Sequence, residues 1–166
     1  MRILATTGAL LLLTGTVWAQ GAGTPPPTDL TKGTAMNGAE LHAAIARLGD
    51  ERPIASARVF TLAGPNRPYS VNVEHRTNQP QPASLHDADA EMFYVIDGGG
   101  TMVTGGAIVE GTRNGPNLRG TGIEGGTPHK LSPGDFFMVP EGVAHWWSQV
   151  DPAGMNVMSI HFPRVN

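Results

Sequence analysis

The sequence predicts an all-β domain, a sandwich or barrel of short strands, preceded by one short N-terminal helix. Three observations carry that expectation. The 166-residue chain holds 22 Gly and 14 Pro, a density of turn formers that leaves little room for long helices. From Ile54 onward the apolar residues recur with period two or in short continuous runs. Helical spacing with its own start and stop signals is found in only one stretch, near residues 37–49.

The N-terminus, MRILATTGALLLLTGTVWAQ, joins one basic residue, Arg2, to an apolar core through Leu10–Leu13 and a small-x-small site at Val17-Trp18-Ala19. This is the layout of a secretory signal peptide spanning residues 1–19, and it implies a secreted or periplasmic protein. The apolar run falls short of the roughly 20 residues that a membrane span needs, and Thr14, Gly15 and Thr16 interrupt it. No membrane attachment is therefore expected after cleavage. An exported chain without Cys has no disulfides, so packing must stabilise it, with or without a metal. The formal net charge is −3 and no basic residues cluster, which argues against nucleic acid and acidic membrane surfaces as partners.

Residues 20–33, with the run GAGTPPPTDLTK, form a flexible linker without apolar periodicity. Residues 34–53 hold the helix and its connection. Asn37 caps it, Glu40 is the reciprocal partner three residues on, and Gly49 ends it. Leu41, Ala44, Ile45 and Leu48 make one apolar stripe, with His42 at its edge as a solvated residue.

Residues 54–166 carry the strands, about eight or nine in number. Ala57, Val59 and Thr61 alternate with Arg58, Phe60 and Leu62. Tyr69, Val71, Val73 and His75 share one face, so if the valines point inward His75 does too. Glu91–Ile96 is apolar after its first residue and closes at Asp97–Gly100. Thr101–Thr104 and Ala107–Glu110 form the next pair of strands. Gly111–Gly126 reads as a long excursion with a short strand at Gly122–Glu124. In Gly134–His145, GDFFMVPEGVAH, a strand runs into a Pro-Glu-Gly turn that aims His145 into the interior. Met155–Phe162 is the last strand.

The chemistry starts from Glu91. A lone carboxylate at the head of a buried strand is costly unless it is paired or bound to a metal. His86 stands five residues upstream and His145 is aimed inward. A buried carboxylate with two neutral imidazoles is a typical site for a divalent first-row metal.

The same residues carry a family resemblance. Cupins have a first motif G-x5-H-x-H-x3–4-E-x6-G and a second G-x5-P-x-G-x2-H-x3-N. Gly134, Pro140, Gly142 and His145 match the second, with Gln149 in place of its last Asn. His86, Glu91 and Gly98 match the first, with Ser84 at its leading His and Asn78 at its opening Gly. The chain thus resembles a small secreted single-domain cupin over roughly Ile54 to Phe162. The resemblance implies a jelly-roll β-barrel (a double-stranded β-helix) with a divalent metal inside, near one mouth. Iron, manganese, nickel and zinc are all compatible. In the full pattern three His and one Glu hold the ion, and Ser84 leaves one place to fill.

Three arrangements follow. His86, Glu91 and His145 hold the metal as a two-His, one-Glu site; His75 supplies the missing ligand; or the pocket is metal-free and the two histidines act as acid and base. Phe93 and Val95 share Glu91's face. Trp147 and Gln149 share His145's by parity, and with Ser84 these side chains would line the substrate pocket. Trp146 points the other way, toward a helix or a homodimer contact. Asp87 and Asp89 read as solvated loop acids, His129 as a surface residue, and His161 as a satisfied core histidine despite its inward parity. The expected function is that of a metal-dependent enzyme of dioxygenase, isomerase or lyase type acting on a small organic molecule. The competing reading is a non-catalytic barrel that binds a small molecule or sugar. No catalytic acid or base is assigned.

Overall fold

A computed structural model describes residues 32–62 and 68–164. The signal peptide expected over 1–19 and all but the end of the linker lie outside the described residues. Asn37 opens helix α1 (Gly38–Ile45) with the expected capping box: Glu40 N donates to Asn37 Oδ1 at 3.0 Å, and Asn37 N donates to Glu40 Oε2 at 2.9 Å. The helix stops at Ala46, ahead of Gly49, and single turn hydrogen bonds carry the chain through Leu48.

Strands follow as β1 (Ile54–Leu62), β2 (Tyr69–Arg76), β3 (Ala83–His86), β4 (Asp89–Asp97), β5 (Gly100–Thr104), β6 (Ala107–Val109) and β7 (Thr112–Asn114). They continue as β8 (Asn117–Gly120), β9 (Gly122–Glu124), β10 (Thr127–Leu131), β11 (Phe136–Val139), β12 (His145–Val150) and β13 (Met155–Pro163). One sheet has the order β1-β2-β13-β4-β11, a second β10-β5-β12-β3-β8-β7, and β6 pairs with β9. Every pairing is antiparallel. The architecture is the all-β jelly-roll barrel with one short N-terminal helix.

The strands outnumber the expected eight or nine for two reasons. The stretch read as an excursion folds into the β7–β8 hairpin, and two strands form where none was assigned, β3 carrying His86 and β10 pairing with β5.

The interior has two halves. One is apolar, with Phe93, Val95, Met102, Leu131, Val139, Trp147, Met155 and Val157 packed between the sheets. Phe93 meets Trp147 edge to face at 5.8 Å between centroids, a geometry that adds about 0.5–1.5 kcal/mol to area burial. The other half is a polar cavity of about 320 Å³.

Strand β2 faces opposite to expectation. Val73 is fully buried, but against Ala44 and Val59, with Leu41, Ile45 and Leu48 of the helical segment packed around them outside the barrel. Glu74 and Arg76 line the cavity instead. The helix covers the outer face of the sheet, so the apolar residues of β2 point out and its polar residues point in. His75 goes outward with the valines, where its Nδ1 meets Asn156 Oδ1 at 2.9 Å and its Nε2 meets Asp50 Oδ1 at 3.1 Å. It does not fill the ligand place left by Ser84.

Candidate metal centre

Glu91 lies at the cavity end of β4, between β13 and β11. It is 4 % exposed, and three imidazoles surround it. His145 Nε2 lies 3.2 Å and His86 Nε2 3.4 Å from Glu91 Oε2, while His161 Nε2 lies 3.3 Å from Oε1. Ser159 Oγ also donates to Oε1, at 2.6 Å. Burial alone would raise the Glu91 carboxyl. Hydrogen bonds from His145 and His86, with the charge of His161, outweigh it and hold the group well below the usual carboxylate range.

Strand geometry explains the convergence. His161 on β13 is the direct cross-strand partner of Glu91 on β4, and His145 on β12 is that of Ser84 on β3. His86 is two residues along β3 from Ser84, so it shares Ser84's face. Gly142 closes the turn before β12 at φ 73°, a conformation glycine adopts without strain, and its N–H donates to His86 O at 2.8 Å. That bond ties the His145 turn to the His86 strand.

The imidazoles are oriented from outside. Asn117 Oδ1 accepts from His86 Nδ1 at 2.7 Å, and Val143 O accepts from His145 Nδ1 at 3.3 Å. Both rings therefore direct Nε2 at the carboxylate, the usual arrangement of metal-ligating histidines. Burial pulls the His86 pKa down, but the bonds to Glu91 and Asn117 more than offset this and raise it. Without a metal, His86 thus holds its second proton more tightly than an ordinary histidine.

These donors fit a divalent transition metal. His86, Glu91 and His161 offer ligand atoms within 4.8 Å of one another; His145 stands outside that group of three, with its Nε2 3.2 Å from the same carboxylate. Replacing Asn117 with Ala should lower metal affinity about 10- to 100-fold with little change in thermal stability. Isothermal titration with Zn²⁺ would show it; an unchanged affinity would mean that Asn117 does not set the His86 ring.

The sequence-derived residues separate into groups. His86, Glu91, His145 and Ser84 meet in one cavity, and Trp147 lines it as well. Phe93 supports it from below, with its ring 6.1 Å from that of His145. Val95 is fully buried in the apolar half and does not reach the cavity. Gln149 is turned away, because a β-bulge between Trp147 and Gln149 breaks the alternation of β12. Its amide accepts from Thr101 Oγ1 at 3.3 Å, in a different cleft. Trp146 does face away from His145, but its indole N–H donates to Gln81 O at 2.9 Å and its ring packs beside Gly122. Asp87 pairs with Arg113, so the residue that orients His86 is Asn117 and not an adjacent acid. His161 was the residue missed. Its only signal was parity with Val157 and Ser159 along β13.

No family model and no curated protein matches the chain. Solved structures do. KdgF from Halomonas sp. superposes with a TM-score of 0.50 at 16 % identity, over 72 % of this chain and 87 % of that one. The plu4264 protein from Photorhabdus luminescens gives 0.49 at 13 % identity, over 72 % and 82 %. TT1209 from Thermus thermophilus gives 0.48 at 16 % identity, over 73 % and 95 %.

Proposed function

We propose that this chain, whose fold is that of the cupins, is a metal-dependent enzyme acting on a small organic molecule inside the barrel. One observation carries the reading: a carboxylate 4 % exposed, ringed by three imidazole Nε2 atoms at 3.2–3.4 Å. In this reading His86, Glu91, His145 and His161 are the ligands. A divalent ion held there supplies Lewis acidity to a substrate's oxygens, with oxygen chemistry added if it is iron.

The chain's own residues define what reaches that point. Trp147 lines the cavity, and its ring packs edge to face on Phe93, whose ring lies 6.1 Å from that of His145. Arg76 is held by Glu74 Oε2, from Nη2 at 2.6 Å and Nε at 3.1 Å, and stands over the rings of Phe93 and Trp147. That buried pair fixes the polar wall without contributing net charge. The reading retains export, on the layout of residues 1–19 alone.

Metal content decides the matter. Protein purified without added metal and then dialysed against Fe²⁺, Mn²⁺, Ni²⁺ or Zn²⁺ should hold close to one ion per chain for at least one of them. Less than about a tenth of an ion with all four would sink the enzyme reading. Affinity should also fall as pH drops through the imidazole range. The proton on His86 must leave before Nε2 can bind, and its raised pKa makes that competition begin at higher pH than for an ordinary histidine. A pH-independent affinity between about pH 6 and 8 would contradict ligation by His86.

A further inference from the structure

The β7–β8 hairpin does more than place Asn117. Arg119, two residues further along β8, is on the same face and lines the same cavity. In register it lies across from Ser84, which in turn lies across from His145. Arg119, Ser84 and His145 therefore form one row over three neighbouring strands. Strands are about 4.8 Å apart, so a guanidinium at one end of the row and an imidazole at the other leave a lane about the width of a few carbon atoms. Serine is the small side chain in the middle of that lane.

Charge sets Arg119 apart. Of the other permanently charged residues on the cavity wall, Glu74 and Arg76 neutralise each other and Glu91 is enclosed by histidines. Among the described residues, the Arg119 side chain has no hydrogen-bond or ion-pair partner, and it is exposed. A planar fork of donors with no protein acceptor, facing a cavity of about 320 Å³, matches a small oxyanion in size and sign.

We infer that Arg119 is the specificity-determining residue of this pocket and that the substrates are small carboxylic acids. The carboxylate sits on Arg119, and a second oxygen group extends past Ser84 to the histidine cluster. This rests on the metal-centre reading for the second contact only; the first depends on Arg119 alone.

The test uses the Co²⁺-loaded full chain and its visible spectrum as the binding signal. The probes are malonate, succinate and glutarate, each beside its half-amide, which keeps one carboxylate and neutralises the other. At least one diacid should bind about tenfold more tightly than its half-amide. In R119Q that preference should shrink to within about twofold, with Co²⁺ uptake and melting temperature unchanged. R119K, which keeps the charge but loses the fork, should fall between. The inference is overturned if no diacid is preferred, or if the preference survives in R119Q. Failure to load Co²⁺ would count against the metal centre instead. The same probe pairs, titrated by calorimetry into metal-free wild type and R119Q, would then decide the Arg119 question by the same criterion.

Discussion

Glu91→Ala should abolish stoichiometric metal uptake and destabilise the metal-free protein most at mildly acidic pH. Removing a direct ligand should exceed the roughly hundredfold loss that outer hydrogen-bond partners produce. The stability effect follows from charge. In the metal-free chain the Glu91 carboxyl is held well below the usual carboxylate range and raises the pKa of His86 beside it, and both groups are largely shielded from water. Taking one partner from a buried ion pair costs about 3–5 kcal/mol when the other stays charged. The His86 imidazole can instead release its proton, and then the cost drops to the unpaired Ser159 hydroxyl, about 1–3 kcal/mol.

The pH at which each cost applies follows from the two shifts. His86 has a raised pKa in the folded chain, so its contribution is complete below its unfolded value and is lost as pH rises through the folded one. Glu91 has a depressed pKa, so its contribution is complete above the ordinary carboxylate range and is lost as pH falls through the folded value. The pair thus contributes most between those limits. Denaturant melts of wild type and E91A, both metal-free, should differ more at about pH 5.5 than at about pH 8.5. A larger difference at the alkaline end would show that this carboxylate does not raise the His86 pKa.

Much of this was legible in the sequence, and the limits have physical causes. Period-two spacing and turn signals located the strands of the barrel, because each buried strand needs its own apolar face. Glu91 was legible because an acid at the head of EMFYVI has no cheap place in a core, and His145 because a turn with a φ-positive glycine precedes it. Strand β2 misled because parity says which residues share a face but not which face is inside. The helix inverted that choice, and His75 went with it. Gln149 was misplaced because a bulge leaves no mark in an alternation pattern. His161 and Asn117 came late for a related reason. Both act through cross-strand neighbours, with Glu91 and with His86, and register between distant strands is set by the whole barrel rather than by local spacing.

His161 offers a fourth ligand that none of the three arrangements expected from the sequence included. His161→Ala should lower metal affinity by more than about a hundredfold, while His75→Ala should leave it within about twofold. His75 lies on the outer face with Asn156 and Asp50, so its loss touches no donor in the cavity. The reverse pattern would restore His75 as the fourth ligand and contradict the strand facing described above. A second substitution sharpens the comparison. Ser84 faces His145 across the β3–β12 pair and lines the same cavity, which makes it the position from which the cupin pattern would supply its leading histidine. Ser84→His in the H161A background should therefore recover a substantial part of the lost affinity. Recovery would mean that the centre needs three imidazoles and accepts the third from either sheet. Failure, with the double variant folded, would mean that the pairing of His161 with Glu91 on adjacent strands is what holds the carboxylate ready to bind. The same S84H change made in wild type should leave metal binding intact but weaken diacid binding, since the added ring would stand in the lane between Arg119 and His145. A serine at the expected ligand position is then read as a relocated ligand whose vacated place admits substrate.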